Sequence, residues 1–424
     1  MINEIQKRPF VRPLGLWITG ILLYSFFPDL FVIGGLLLIC LFVFFLLFFC
    51  FGREEPVVRY DTRWVWGVLF AFLFVVLAML VTKANEKKSL YPSSPGVVET
   101  LAAQSQYQLV ESIDELCLSD TEKSVLATLT LGYKKALSKE VRSKFSVAGV
   151  SHILAVSGFH VAVVSGFLSF LLGFLPQDRG SRLVRYLLMM ALLWCFVFVT
   201  GLAASSVRAG LMLSFYLTGR VLGRDSDRYN TLAAAAFCML AYNPGYLFDI
   251  GFQLSYTAVF FILYLQPRLQ RLIKVRNPLI ALFWNGITVT VAAQAGVTFL
   301  CLYYFGYFST VFLFVNIPVV FIATLLIPSA LLWLLLPGWF PGYVVLQRIV
   351  EELMHLLWRI VERFAGIPGA SWVFRFDIFS LLAAYGMLLF FLLYVSERKA
   401  WLCLAGLFVL FLLLLVRVVE RFVA

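Results

Sequence analysis

The sequence predicts an all-α, polytopic helical membrane protein with about 10–12 transmembrane helices and one amphipathic surface helix. Three observations carry this. Charged residues make up only 13% of the chain and hydrophobic residues 62%, whereas soluble domains carry about 25% charge. The mean hydropathy is +0.93. Runs such as LFVIGGLLLICLFVFFLLFFCF (30–51) exceed the roughly 18 apolar residues that cross a bilayer as a helix.

The spans read in order as 14–27, 30–51, 64–82, 150–175, 184–204, 206–220, 230–243, 247–265, 278–302, 309–336, 377–396 and 400–416. The first is a span rather than a cleaved signal, because no small-residue cleavage site follows it and further spans do. Basic residues alternate between the connections. Lys7, Arg8 and Arg12 precede the first span; Arg53, Arg59 and Arg63 follow the second. Arg179, Arg182 and Arg185, then Arg220, Arg224 and Arg228, then Arg268, Arg271, Lys274 and Arg276 mark every second connection thereafter. The short connections between them carry none, and the long 83–149 segment, though basic, escapes the rule, which therefore predicts a cytoplasmic N-terminus and an external 83–149 segment. The net charge of +11 is in large part this topological signal.

Within the external segment, 83–119 reads as irregular, with YPSSPG (91–96) as a turn-rich linker. Residues 120–146 read as one helix capped by Ser119 or Asp120 and bearing Lys123, Lys134, Lys135, Lys139, Arg142 and Lys144. That basic surface is either a solvated face or a polyanion-binding one. Residues 343–366 set Leu346, Val350, Leu353, Leu357, Ile360 and Phe364 on one face, an amphipathic helix on the membrane surface or against the bundle. Its ELMH (352–355) has half the spacing of a di-iron site without a second copy, so no metal is expected. Of the seven cysteines only Cys117 lies in a polar segment, and no CxxC occurs.

Polar residues in the spans are costly, and these fall at one level. From the rise per residue, Arg208 lies about 18 Å from Arg220, Asp249 about 28 Å from Arg268, and Gln294 about 27 Å from Arg276. His160 lies about 24 Å from Pro176, with His152 further out, and Asn316 opens its own span. Five spans thus place polar groups in one half of the bilayer, as in an externally open vestibule. Asp249 and Gln253 share a helix face with Tyr256 a turn on. Each has a structural alternative: a buried Arg208–Asp249 pair, or histidines that only bond between helices.

The same residues carry a family resemblance. HILAVSGFHV (152–161), TGLAASSVRAGLM (200–212), NPGYLFDIGFQLSYTAV (243–259) and the Q…F-G…S…N-x-x-x-P pattern of 292–320 together resemble the ComEC-type competence proteins. That resemblance implies an inner-membrane channel of bacteria that passes one strand of incoming DNA, and it is not an enzyme or cofactor protein on this reading. It implies that His152, Ser157, Gly158, His160, Ser205, Arg208, Asp249, Gln253, Gln294 and Asn316 line the strand's path. The implied partners are single-stranded DNA, a separate nuclease, an external DNA receptor, a cytoplasmic motor, the bilayer, and a second copy of the chain. The regions become 1–82 (N-terminal helices), 83–149 (external linker and basic helix), 150–336 (competence-type core), 337–376 (amphipathic helix) and 377–424 (C-terminal hairpin).

Two departures stand out. Three histidines cannot supply the H-x-H-x-D-H cluster of a metallo-β-lactamase domain, so any nuclease is expected on another chain. Phe299 stands where the family usually has proline, which is expected to straighten its span. A transporter of another anionic solute, such as a lipid-linked phosphate or a metabolite, is the alternative on the same core. An intramembrane enzyme using Ser157 or Ser151 with a histidine base is a third class.

Overall fold

The computed structural model describes residues 8–29, 31, 34, 35, 37, 63–90, 96–176, 178–223 and 227–423. The expected span over 30–51 and the linker at 91–96 lie almost wholly outside them. Six described helices are long and apolar enough to cross a membrane, and three shorter apolar ones accompany them. The protein is an all-α, multi-pass membrane protein.

In chain order, α1 (Val11–Phe26) packs on α2 (Arg63–Leu90). Gly20 makes this possible, since a Cβ there would stand 2.4 Å from the Val75 carbonyl oxygen. Small residues of this kind let membrane helices approach where no hydrophobic force separates lipid from protein. Trp17, Ile21 and Ala78 form a small core here with Met239, Leu240 and Phe252.

The stretch after α2 departs from the expected irregular segment. It holds α3 (Val97–Ile113), at whose start the Gly96 N–H donates to Glu99 Oε2 at 3.2 Å, and which buries Ala102 and Ile113. The expected basic helix over 120–146 is two helices, α4 (Asp120–Leu131) and α5 (Lys139–Val147). Gly132 ends α4 in the left-handed region (φ +73), with its N–H bonded to Thr128 and that of Tyr133 bonded to Ala127. That double bond is a glycine C-cap, and it outweighs the helical spacing of the charges. Ser119 and Ser138 cap the two N-termini. Ser119→Ala is expected to cost about 1 kcal/mol of stability, read as a lower unfolding midpoint of the solubilised protein.

Helix α4 is almost entirely buried against α12 (Phe312–Leu335) and α13 (Tyr343–Ala365). The stripe Val315, Val319, Ile322, Ala323, Leu326, Ile327 and Ala330 of α12 meets Val350, Met354, Leu357 and Val361 of α13 in the main core. The amphipathic helix therefore lies against the bundle, with its polar face outward. Polar bonds pin it to the preceding segment: the Cys117 N–H donates to Glu351, His355 Nδ1 meets Glu122 Oε1 at 2.6 Å, and Lys144 pairs with Glu362 at 2.9 Å.

Burial raises the Glu122 pKa, but hydrogen bonds from Ser119 and His355 outweigh it and hold the carboxyl below its ordinary value. The folded pKa is depressed, so the contribution is complete above the ordinary pKa of 4.5 and is lost as pH falls through the lower folded value. Acid titration below 4.5 is expected to loosen α4 from α13, and Glu122→Gln to remove that acid dependence. Hydrogen exchange of 119–131 against pH measures it.

The remaining helices are α6 (Gly158–Leu171), α7 (Arg179–Val199), α8 (Ala204–Val221), α9 (Arg228–Tyr242), α10 (Ile250–Gln270), α11 (Pro278–Tyr304), α14 (Ile378–Glu397) and α15 (Ala400–Val423). Helix α11 runs unbroken through Phe299, whose ring stacks on Phe376 and meets Tyr385 edge-on. Two short strands were not expected. β1 (Tyr307–Ser309) and β2 (Ser371–Val373) pair antiparallel, Phe308 opposite Trp372, and tie the start of α12 to the end of α13.

Candidate functional site

The expected single span over 150–175 is broken at its entrance. Ser151–Leu154 form one 3₁₀ turn, Ala155 and Ser157 are extended, and α6 starts only at Gly158. The cause is local. Ser157 caps α6, and His160 takes the place that a glutamate usually fills in a capping box. His160 Nδ1 accepts the Ser157 N–H at 3.2 Å and lies 3.1 Å from Ser157 Oγ. His160 is fully buried, and its Nε2 faces inward without a protein partner.

The other sequence blocks arrive at the same place. The N-terminus of α6 abuts α8, where a Cβ on Gly158 would lie 4.0 Å from the Ala209 Cβ. Arg208, only 5% exposed, extends from α8 toward the start of α10, its Nη1 3.7 Å from Asp249 Oδ1. That separation is long for an ion pair, because Asp249 Oδ1 also accepts the Phe252 N–H at 2.7 Å as the cap of α10. Gly251 leaves room for the guanidinium; a Cβ there would stand 3.3 Å from Arg208 Nη2.

Gln253 donates to the Leu247 carbonyl and accepts from the Tyr304 hydroxyl at 2.6 Å, joining α10 to the end of α11. Asn316, in the second turn of α12, donates to Thr290 of α11 at 2.7 Å and stands beside the His152 side chain. His152 in turn lies within electrostatic reach of His160. Gln294 is half-buried one turn beyond Thr290 and makes no hydrogen bond to the other predicted residues. Ser205 is half-buried, while the adjacent Ser206 is fully buried with its Oγ unpartnered.

Two features of this cluster bear on chemistry. Helices α6, α8, α10 and α12 all begin here, so four positive dipole ends converge, the start of α10 being capped by the Asp249 carboxylate. Of the eight buried side-chain N or O atoms without a protein hydrogen bond among the described residues, four belong to it: His160 Nε2, Ser206 Oγ, Arg208 Nε and Asn316 Oδ1. Buried polar atoms are normally paired, so a group of unpaired ones marks a place for a ligand or for water. Three of these four atoms can donate a hydrogen bond, His160 Nε2, Ser206 Oγ and Arg208 Nε, whereas Asn316 Oδ1 only accepts.

The basic residues of the external segment divide. Lys134 and Arg142 stand within electrostatic reach of one another, and Lys134 of Arg208. The surrounding chain and these two cations lower the Lys134 pKa. Lys134 also offers its carbonyl to Arg142 Nη2 at 3.0 Å, which fixes the turn between α4 and α5 over the cluster. Lys135 and Lys139 are exposed. Lys144 is committed elsewhere: it pairs with Glu140 and Glu362 and lies over the Trp358 ring.

Thr290, Tyr304, Ser206 and Gly251 were not singled out in the sequence. Thr290 is the one with a readable signal, one turn before Gln294 on the same helix.

Fold and site together define a multi-pass helical membrane protein with a cluster of buried polar groups around Arg208 where four of its helices begin. The chain belongs to the competence protein family, whose model matches residues 129–399 and so takes in every predicted site residue. It is similar to ComE operon protein 3 of Bacillus subtilis (strain 168), with 31% identity over 218 residues. That match covers 50% of this chain and 26% of the relative. No solved structure matches it.

Proposed function

We propose that this chain is a channel for the import of single-stranded DNA during natural transformation, set in the bacterial inner membrane with its N-terminus cytoplasmic. One observation carries the reading: four helix N-termini converge where the buried Arg208, His160 and Ser206 each keep a side-chain donor atom without a protein partner. A strand presents a phosphate at every step, and such a centre can hold each one without base preference. Membership of the competence family supports the same substrate.

On this reading Lys134, Lys135, Lys139 and Arg142 gather the polyanion at the mouth. Arg208, Ser206 and His160 donate to its phosphates below, while Asn316, bonded to Thr290, keeps its place beside His152. The Ser157–His160 pair serves as a helix cap and not as a nucleophile and base, which fits a conduit. The partners in this reading are a nuclease, an external DNA receptor and a cytoplasmic motor.

The test is entry of labelled DNA into the cytoplasm of host cells carrying the wild type or a deletion, with protein levels matched. Loss of entry on deletion, with surface binding retained, is expected. Unchanged entry would remove DNA as the cargo and leave transport of another anionic solute as the reading. Charge reversal of the mouth, Lys134→Glu with Arg142→Glu, is expected to lower the rate about tenfold, and less at high salt.

A further inference from the structure

A cavity of about 600 Å³ lies between α1, α9 and α10. Its floor is α9, which presents Ala233 and Ala236, two side chains too short to fill the space between its neighbours. One wall is Val11 and Leu14 of α1; the other is Tyr256, Thr257, Phe260 and Phe261 of α10. The flank is open to the membrane, since Val11 is 43% and Phe260 46% exposed.

The rim of this cleft is cationic. Arg8 lies 4.7 Å over the Tyr229 ring, Tyr229 meets Phe260 edge-on at 6.1 Å, Phe260 stacks on Tyr264 at 6.3 Å, and Arg268 lies 3.8 Å over Tyr264. Three rings thus hold two guanidiniums at the same end, and both act electrostatically on Tyr229. Asp227 neutralises part of this charge through its 2.9 Å pair with Arg8, leaving one net positive charge among the three.

We propose that this cleft binds one anionic phospholipid, with an acyl chain along the alanine floor and the phosphate between Arg8 and Arg268. The dimensions agree. From Arg268 to Tyr256 is twelve residues of α10, about 18 Å, close to the depth of one leaflet of a ~30 Å hydrocarbon core. Apolar walls open to lipid suit a chain, and a basic rim between helices suits an acidic headgroup. The inner end reaches Tyr256, which lies within electrostatic reach of Arg208, so the lipid tail points toward the Arg208 cluster. The proposal is independent of what crosses the membrane.

The test uses the purified full chain in phosphatidylcholine nanodiscs, doped with a trace of phosphatidylglycerol or phosphatidylcholine carrying a photoreactive acyl tail. Crosslinked peptides are mapped by mass spectrometry. The phosphatidylglycerol probe is expected to label 8–14, 229–236 and 256–261 about fivefold more than the phosphatidylcholine probe. Ala236→Leu combined with Thr257→Leu fills the cleft and is expected to abolish that labelling. Arg268→Gln is expected to bring the two probes level.

Equal labelling of the wild type by both headgroups would overturn the proposal, and so would labelling that survives in the filled variant. Protection by a single-stranded oligonucleotide would also overturn it, because the cleft would then hold nucleic acid. If the filled variant does not fold, the headgroup comparison on the wild type decides alone.

Discussion

Arg208→Ala is expected to lower DNA entry about 100-fold while leaving the protein in the membrane, because it removes charge-assisted contacts with phosphate. The geometry explains why function suffers more than folding. Arg208 is buried, but its pair with Asp249 is long at 3.7 Å, and Asp249 is 48% exposed. Removing the arginine therefore strands no buried carboxylate, which is the usual reason that breaking an ion pair unfolds a protein. Asp249 is also held by its capping bond to Phe252, which survives the change. Arg208→Lys keeps the charge and loses the planar fork, so it is expected to recover part of the rate. Asp249→Asn keeps a good capping side chain and is expected to be the milder change. Entry of labelled DNA at matched protein levels measures all three.

Gly149→Ala is expected to destabilise the protein by about 3 kcal/mol, from a left-handed backbone together with steric overlap. Its φ is +78, and a Cβ would lie 2.7 Å from the Phe312 Cβ and 2.8 Å from Ser309. This glycine closes the joint at which α5 meets β1 and the start of α12. Ser309, itself buried, donates there to the Val147 carbonyl at 2.7 Å. The displaced start of α12 also carries Asn316, so DNA entry is expected to fall with stability. Gly166→Ala is the control: it sits within α6 with nothing within 4 Å of an added Cβ, and is expected to be neutral or mildly stabilising. Thermal unfolding of the solubilised variants separates the two.

What the sequence disclosed follows from the size of each physical signal. Long apolar runs carry a large transfer free energy, so the helices over 179–335 emerge close to their expected limits. Helix α3 is hidden because its 17 residues have little hydropathy and its glycine N-cap offers no capping side chain, only Glu99 reaching back to the Gly96 N–H. The break at Gly132 was visible as a glycine after an apolar run, but the spacing of the lysines argued the other way. The pairing of β1 with β2 joins two three-residue segments more than 60 positions apart, and no local pattern encodes that register.

The site divides in the same manner. Arginine, aspartate and histidine in a span are expensive enough to be conspicuous, so His160, Arg208 and Asp249 are legible as candidates. Serine, threonine and tyrosine are common in spans because they can bond their own helix, as Ser214 and Thr218 do to carbonyls one turn back. Ser206, Thr290 and Tyr304 were therefore indistinguishable from their neighbours. Lys144 shows the reverse: its charge was legible, but its pairing with Glu362, 218 positions away, was not.

The most direct test of the central claim places a photoreactive side chain at Ser205, half-buried beside Ser206 and Arg208, and at exposed Lys139 on the mouth helix. Cells taking up labelled DNA are irradiated during entry and the adducts are isolated. The account predicts that Ser205 crosslinks to single-stranded DNA, and that the adduct disappears when Arg208→Ala is added. Crosslinking at Lys139 alone, with DNA still entering the cytoplasm and none captured at Ser205, would show that the strand passes elsewhere.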